Sequence, residues 1–283
     1  MRLGAHLPAR GNLVRFLRTA ADLGCEAAQV FSRSPRGGRP RELPAAETEE
    51  ARAFMMEAGI RPLVIHVPYL VNLASERAEV RQYSLEVLVE DLCRAEAMGA
   101  AYLVTHAGSG GAAAPADALA RAGAGLRAAV ERYRGPVRLV VENQAGEGSE
   151  VAWRMEDLAA LCAAAGERVG VCLDTCHAFA AGYELAGGGA AALLDGIDAL
   201  AGPGRLCVIH ANDSRHARGS RRDRHEHIGA GAIGAAGFLA LCAALRARPG
   251  GGDVPLILET PFEKPEDLVP DLETLRRLRS EAG

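Results

Sequence analysis

Residues 171–177 read VCLDTCH. An apolar run reaches Asp174, and His177 follows three residues later. The same pattern, apolar run then metal-ligand type, recurs along the chain. PLVIH ends at His66, YLVTH at His106, RLVVEN at Glu142-Asn143, and RLCVIH at His210 with Asp213 just beyond. PLILET carries Glu259, and Asp223 and His225 lie in RRDRHEH. Each has an ordinary alternative, since a strand-end histidine is often only hydrogen-bonded and an acid there often caps the next helix. Together they are harder to dismiss. Five carboxylates and five histidines gathered on one rim would repel, or bury unpaired polarity, unless cations compensate. Imidazole and carboxylate without thiolate suit zinc or manganese. A metal with an open catalytic position takes three or four protein ligands, so this set fits two or three metals. Two metals about 4 Å apart stabilise both oxygens of an in-line phosphoryl displacement, which points to phosphate-ester hydrolysis. Sugar isomerisation through a metal-stabilised enediolate is the rival chemistry.

The elements that must position these residues follow from periodicity. Eight apolar runs read as strands: 2–7, 27–32, 61–66, 101–106, 137–143, 169–174, 205–211 and 255–260. Near-continuous apolar runs suit parallel strands covered on both faces. Helical spacing falls between them at 12–23, 46–58, 76–98, 116–133 and 156–165, with Gly24, Gly59, Gly99 and Gly166 placed to cap four of these helices. Residues 108–114 and 186–192 read as flexible loops. Eight alternating units in 283 residues predict one (β/α)8 TIM-barrel domain spanning residues 1–283. Such barrels carry their chemistry at the C-terminal ends of the strands, where the candidate ligands fall. A doubly wound sheet is the alternative, but the first turn, HLPARGN, lacks a glycine-rich phosphate loop, so no nucleotide cofactor is expected.

Hydrophobic residues make up 49 % of the chain, enough for a sizeable core. The net charge of −4 argues mildly against a nucleic-acid partner. Two segments run against that average, RSPRGGRPR at 33–41 and RHARGSRRDR at 215–224, and together they make a basic footprint beside the candidate site. Seven widely spaced cysteines without a CxxC pair suggest neither a disulfide framework nor a thiolate zinc site, and a reducing cytoplasm is the expected compartment. MRLGAHLPARGN does not resemble a signal peptide, and no apolar run approaches a membrane span.

At these residues the chain resembles endonuclease IV, the zinc-dependent apurinic/apyrimidinic endonuclease family with a TIM-barrel fold. The motifs are GAH at 4–6, HVPYLVNLA at 66–74, VTHAGS at 104–109, VENQAGEG at 141–148, CLDTCHAFAAGYE at 172–184, HANDS at 210–214, RDRHEHIGAGAIG at 222–234 and LETP at 258–261. The resemblance runs from residue 1 to about residue 270. It implies three zinc ions per chain, with manganese possible at one site. His66 and His106 would hold one, and Glu142 would bridge it to a second. Asp174, His210 and Glu259 complete the second set, while His177, Asp223 and His225 form the third. Asp174 and His177 would thus serve neighbouring metals from one strand–helix turn. Glu142 would also stand beside the hydroxide nucleophile, as the catalytic residue. The implied substrate is duplex DNA with an abasic site, cut 5′ to the lesion to leave a 3′-hydroxyl. Tyr69, Leu70 and Arg36 match side chains that the family inserts into bent DNA. No membrane partner is implied, and a DNA-bending barrel can act as a monomer.

The sequence departs from the family at Ala107, where proline is usual, and at Gly37-Gly38, where glutamine and tryptophan are usual. His6, His216 and His227 match no ligand. Asn143 and Asn212 are expected to hold ligands by hydrogen bonds. Trp153 reads as packing, and Cys172 and Cys176 as buried thiols. A non-catalytic DNA-binding relative would be expected to lose some of the nine ligand types, and this chain retains all of them.

Overall fold

Runs rich in Val, Leu and Ile form the strands that the apolar pattern predicts: β1 (Arg2–His6), β2 (Ala27–Phe31), β3 (Leu63–His66), β4 (Tyr102–His106), β5 (Arg138–Glu142), β6 (Val169–Asp174), β7 (Leu206–His210) and, after two short strands, β10 (Pro255–Leu258). In the computed structural model, which describes residues 1–9, 11–35 and 38–283, these eight close into a parallel barrel ordered β1-β10-β7-β6-β5-β4-β3-β2. The short strands β8 (Asp213–Ser214) and β9 (His225–Glu226) pair antiparallel in the long connection after β7. What reads as a loop in the sequence is therefore partly a hairpin, and it carries His225.

Helices α1 (Leu13–Asp22), α2 (Ala45–Ala58), α3 (Ala78–Met98), α4 (Pro115–Arg132) and α5 (Met155–Ala165) coincide with the helical periodicity to within two residues. Four more, α6 (Thr175–Ala181), α7 (Gly189–Ala201), α8 (Gly234–Arg246) and α9 (Val269–Glu281), complete the described helices. Residues 186–192 are not all loop, because α7 starts at Gly189. The glycine there is packing rather than slack, since a Cβ would lie 2.5 Å from Glu184 O. The alanines that follow are strong helix formers.

Strand alternation explains how the barrel places polar groups. Leu63, Ile65, Leu103, Leu139, Val141, Leu173, Ile209 and Leu256 belong to the large core under the helices. The residues between them form a separate core inside the barrel: Val64, Val104, Val140, Cys172, Val208 and Ile257. Two residues further on, the same inward parity reaches His66, His106, Glu142, Asp174, His210 and Glu259. An apolar plug therefore supports a polar floor at the C-terminal end. The parallel register sets neighbours side by side, with His106 opposite Glu142 and Asp174 opposite His210. A register shift at Val171/Cys172 absorbs an irregularity below the second pair. Among the described residues, no helix is long and apolar enough to cross a membrane.

Candidate metal centre

Glu142 is the hub. It is fully buried, and its two carboxylate oxygens face different partners. Oε2 lies 3.4 Å from His66 Nε2 and 3.3 Å from His106 Nε2. Oε1 lies 3.0 Å from His210 Nδ1, which is also 3.2 Å from Glu259 Oε2. On the far side, Asp223 approaches His177 Nε2 and His225 Nε2, each at 3.2 Å. Ligand atoms gather within 4.8 Å in three sets: His66, His106 and Glu142; Glu142, Asp174, His210 and Glu259; and His177, Asp223 and His225. These sets coincide with the three that the resemblance implies. Two further sets include Cys172 and Cys176, whose thiols burial pushes up to about 12.

The donor set fits divalent cations on its own geometry. His66 Nδ1 faces Val67 O at 2.7 Å, His177 Nδ1 faces Asn143 O at 2.9 Å, and His225 Nδ1 faces Glu259 O at 3.1 Å. A carbonyl oxygen only accepts, so in the neutral ring each Nδ1 carries the proton and each Nε2 keeps its lone pair. Those lone pairs point toward carboxylates, which cannot donate. His177 Nε2 and His225 Nε2 are buried with no hydrogen-bond partner. Lone pairs and carboxylates facing one another need a shared positive charge. Without metal, protons supply it. Burial opposes ionisation throughout, but His210 and His106 hold the Glu142 carboxyl well below its usual range. Against the same burial, Asp174 and Asp223 hold His177 well above its usual value.

The supporting shell is dense. Asn143 Oδ1 accepts from Asp174 N at 2.7 Å, while its Nδ2 donates to Asp174 O at 3.2 Å. Asn212 Nδ2 donates to Asp174 Oδ2 at 2.7 Å, and its Oδ1 accepts from Glu259 N at 2.8 Å. Both asparagines thus hold candidate ligands, as their positions suggest. His6 lies within the site, with Nδ1 2.8 Å from Glu259 Oε1. His227 turns away to Asp271, at 2.9 Å. Asp213 does not join the cluster, although it follows His210 so closely. Its buried carboxylate instead accepts backbone N–H groups from Ser214, Gly229, Gly231, Ile233 and Gly234. Gln29, which sequence reasoning passed over, also reaches this floor fully buried, with Nε2 2.7 Å from Glu259 Oε1; a lone amide inside AAQVF was its only signal in the sequence.

The floor opens into a cleft of about 300 Å³ rimmed by Pro68, Tyr69, Asn72 and Ser109. At this rim Tyr69 is 73 % exposed and Leu70 49 %. Tyr69 stacks edge-on against Phe31 at 5.3 Å. A larger cavity of about 1060 Å³ opens at the opposite, N-terminal end of the barrel and contains none of the candidate ligands. Arg36 lies outside the described residues. Of its described neighbours, Arg33 donates to Asp91 at 2.9 Å, and Arg94 donates to Ser32 O and Arg41 O. The second basic segment is partly neutralised: Arg215, Arg218 and Arg224 pair with Glu226, Glu184 and Glu147. Arg221 instead lies over the Trp153 ring at 4.3 Å, so Trp153 does more than pack.

Comparison with known proteins agrees with this geometry. Residues 17–278 match the family model for xylose isomerase-like TIM barrels. A Carboxydothermus hydrogenoformans protein called probable endonuclease 4 is 39 % identical over 99 % of this chain and 97 % of its own length. Endonuclease IV from Thermus thermophilus superposes with a TM-score of 0.86 at 38 % identity, covering 99 % of this chain and all of that one. A 3-keto-D-glucoside 4-epimerase from E. coli, at a TM-score of 0.70 and 17 % identity over 99 % of both chains, shares the fold alone. With identity near two-fifths to these endonucleases over 99 % of its length, the chain belongs to the endonuclease IV family of TIM barrels.

Proposed function

We propose that the chain is a zinc-dependent endonuclease that hydrolyses the phosphodiester 5′ to an abasic site in duplex DNA, leaving a 3′-hydroxyl. The observation that carries this reading is three ligand sets side by side, two of them sharing Glu142, beneath a cleft rimmed by exposed Tyr69. His66, His106 and Glu142 would hold one zinc; Glu142, Asp174, His210 and Glu259 a second; His177, Asp223 and His225 a third. Nitrogen and oxygen donors without thiolate also admit manganese. Bound divalent cations supply a nucleophile at neutral pH and neutralise charge on the phosphate oxygens.

The chain's own residues do the rest. Glu142, held between imidazoles, joins the first two sets and fixes their separation. Asn143 and Asn212 keep Asp174 and Glu259 in place. Tyr69 and Leu70 enter the gap that a missing base leaves in the stack, where intact DNA would resist them. Arginines of the two basic segments meet the flanking phosphates. The family likeness to named endonucleases supports this reading over sugar isomerisation, which leaves the Asp223–His225 pair without a purpose.

The test is a nicking assay on a labelled duplex carrying one stable abasic analogue, paired with metal analysis of the protein. Incision 5′ to the analogue with two to three zinc per chain is expected. No incision at full metal loading, or cleavage on the 3′ side, overturns the proposal.

A further inference from the structure

Three imidazoles of the centre share one arrangement, with Nδ1 donating to a main-chain carbonyl and Nε2 turned inward. His210 is reversed. Its Nδ1 turns inward, 3.0 Å from Glu142 Oε1 and 3.2 Å from Glu259 Oε2. Its Nε2 lies 2.9 Å from Gln29 Oε1. Gln29 is fully buried at the middle of β2, in register with His6 of β1. The amide has only one sensible orientation, because its Nε2 lies 2.7 Å from Glu259 Oε1, a carboxylate oxygen that can only accept. Gln29 Oε1 therefore faces His210, and it too can only accept. The proton of neutral His210 consequently sits on Nε2. The Nδ1 lone pair is left facing two carboxylate oxygens, an arrangement that a cation between them would satisfy.

We propose that Gln29 is a positioning residue that locks His210 in the Nε2–H tautomer, so that His210 ligates through Nδ1. It also ties His210 and Glu259, two members of one ligand set, to a single amide. The proposal rests on the reading of this cluster as a metal centre. Without the amide oxygen, a neutral His210 gains by moving its proton to Nδ1, where Glu142 and Glu259 accept it. That tautomer offers the metal no lone pair. Loss of such a supporting hydrogen bond lowers metal affinity by roughly 10- to 100-fold.

The experiment titrates metal-free wild type, Gln29→Leu and Gln29→Glu with zinc against a competing chelator, and records long-range ¹H–¹⁵N histidine spectra of the metal-free proteins near pH 10. In Gln29→Leu one zinc equivalent weakens roughly 10- to 100-fold while the others keep wild-type affinity. One imidazole also changes from Nε2–H to Nδ1–H. Gln29→Glu, which keeps an acceptor opposite His210, retains the Nε2–H pattern. Unchanged zinc affinity, an unchanged tautomer in Gln29→Leu, or equal weakening of every equivalent overturns the proposal, the last because it signals a merely structural loss. If the wild type itself binds no zinc, the metal-centre reading fails, and the tautomer comparison still decides what Gln29 does.

Discussion

Replacing Asp213 separates two roles that its position in HANDS leaves open. As a ligand, it would matter only when metal is bound. In the structure it is a fully buried hydrogen-bond hub that fastens the β8–β9 hairpin to the loop at 229–234. Ser214 N and Ile233 N reach Oδ1 at 2.8 and 2.9 Å and are themselves buried. Gly229, Gly231 and Gly234 N reach Oδ2 at 2.9, 3.1 and 3.1 Å and are part-buried. Position 231 admits only glycine, since a Cβ would fall 2.4 Å from Asp213 Oδ1. Asp213→Ala strands two buried amides at ~1–3 kcal/mol each and leaves three more to find water, for a loss of about 4 kcal/mol. On a chain of this size that lowers Tm by roughly 10 °C. Asp213→Asn keeps one acceptor oxygen and is expected to lose about half as much. The assay is thermal melting in excess chelator, where metal cannot contribute. If Asp213→Asn melts with the wild type in chelator yet loads less metal, the hub argument is wrong and Asp213 is a ligand.

Other perturbations probe the remaining parts of the site. Glu142→Gln removes the charge shared by two ligand sets, so incision and the zinc affinity of those two sets should fall roughly 10- to 100-fold, the third set keeping its metal, while the circular dichroism spectrum is unchanged; normal cutting would refute the bridging role. In metal-free protein, burial disfavours the His225 imidazolium, but Asp174 and Asp223 outweigh it and raise its pKa from 6.5 to about 9. The stability this supplies is fully present below about pH 6.5 and lost as pH rises toward 9, about 3 kcal/mol from this residue alone; chelator-treated protein should melt lower at pH 9 than at pH 6.5, and His225→Gln should flatten that slope. Tyr69→Gly with Leu70→Gly should weaken abasic-duplex binding ~10-fold or more, as loss of one stacked side chain would, without changing zinc content; equal binding of intact and abasic duplex by the wild type would contradict the wedge. Arg221→Ala should weaken intact and abasic duplexes alike and lower the salt dependence of binding by about one phosphate contact, and an unchanged salt slope would place Arg221 off the DNA path.

The ligand types were legible because the fold leaves them few explanations. A strand covered on both faces has no use for His66, His106 or Glu142 at the end of an apolar run, unless that end opens on a site. The eight-strand count then follows from eight near-continuous apolar runs, which need no tertiary information. The later helices were harder to read. The start of α7 is hidden in AGGGAAA, where glycine signals slack in isolation but close approach to Glu184 in the fold. Arg36, matched by resemblance to an inserting side chain, lies outside the described residues.

Asp213 and Gln29 mark the deeper limit, and they fail in opposite directions. Asp213 has a ligand's chemistry and a ligand's neighbourhood, yet backbone amides from residues 229–234 occupy its oxygens. Gln29 has no ligand chemistry, yet it reaches His210 across 181 residues of sequence and Glu259 across 230. In both cases the residue's own type is less informative than the partner that the barrel brings to it. A carboxylate or imidazole announces a charge that must be compensated, so its presence is visible in the chain. Where a hydrogen bond goes is decided by register and closure. Gln29 meets His210 only because closure of the barrel turns β2 and β7, three strands apart, toward one interior. The candidate ligands can therefore be read locally, whereas their hydrogen-bond partners emerge only with the fold.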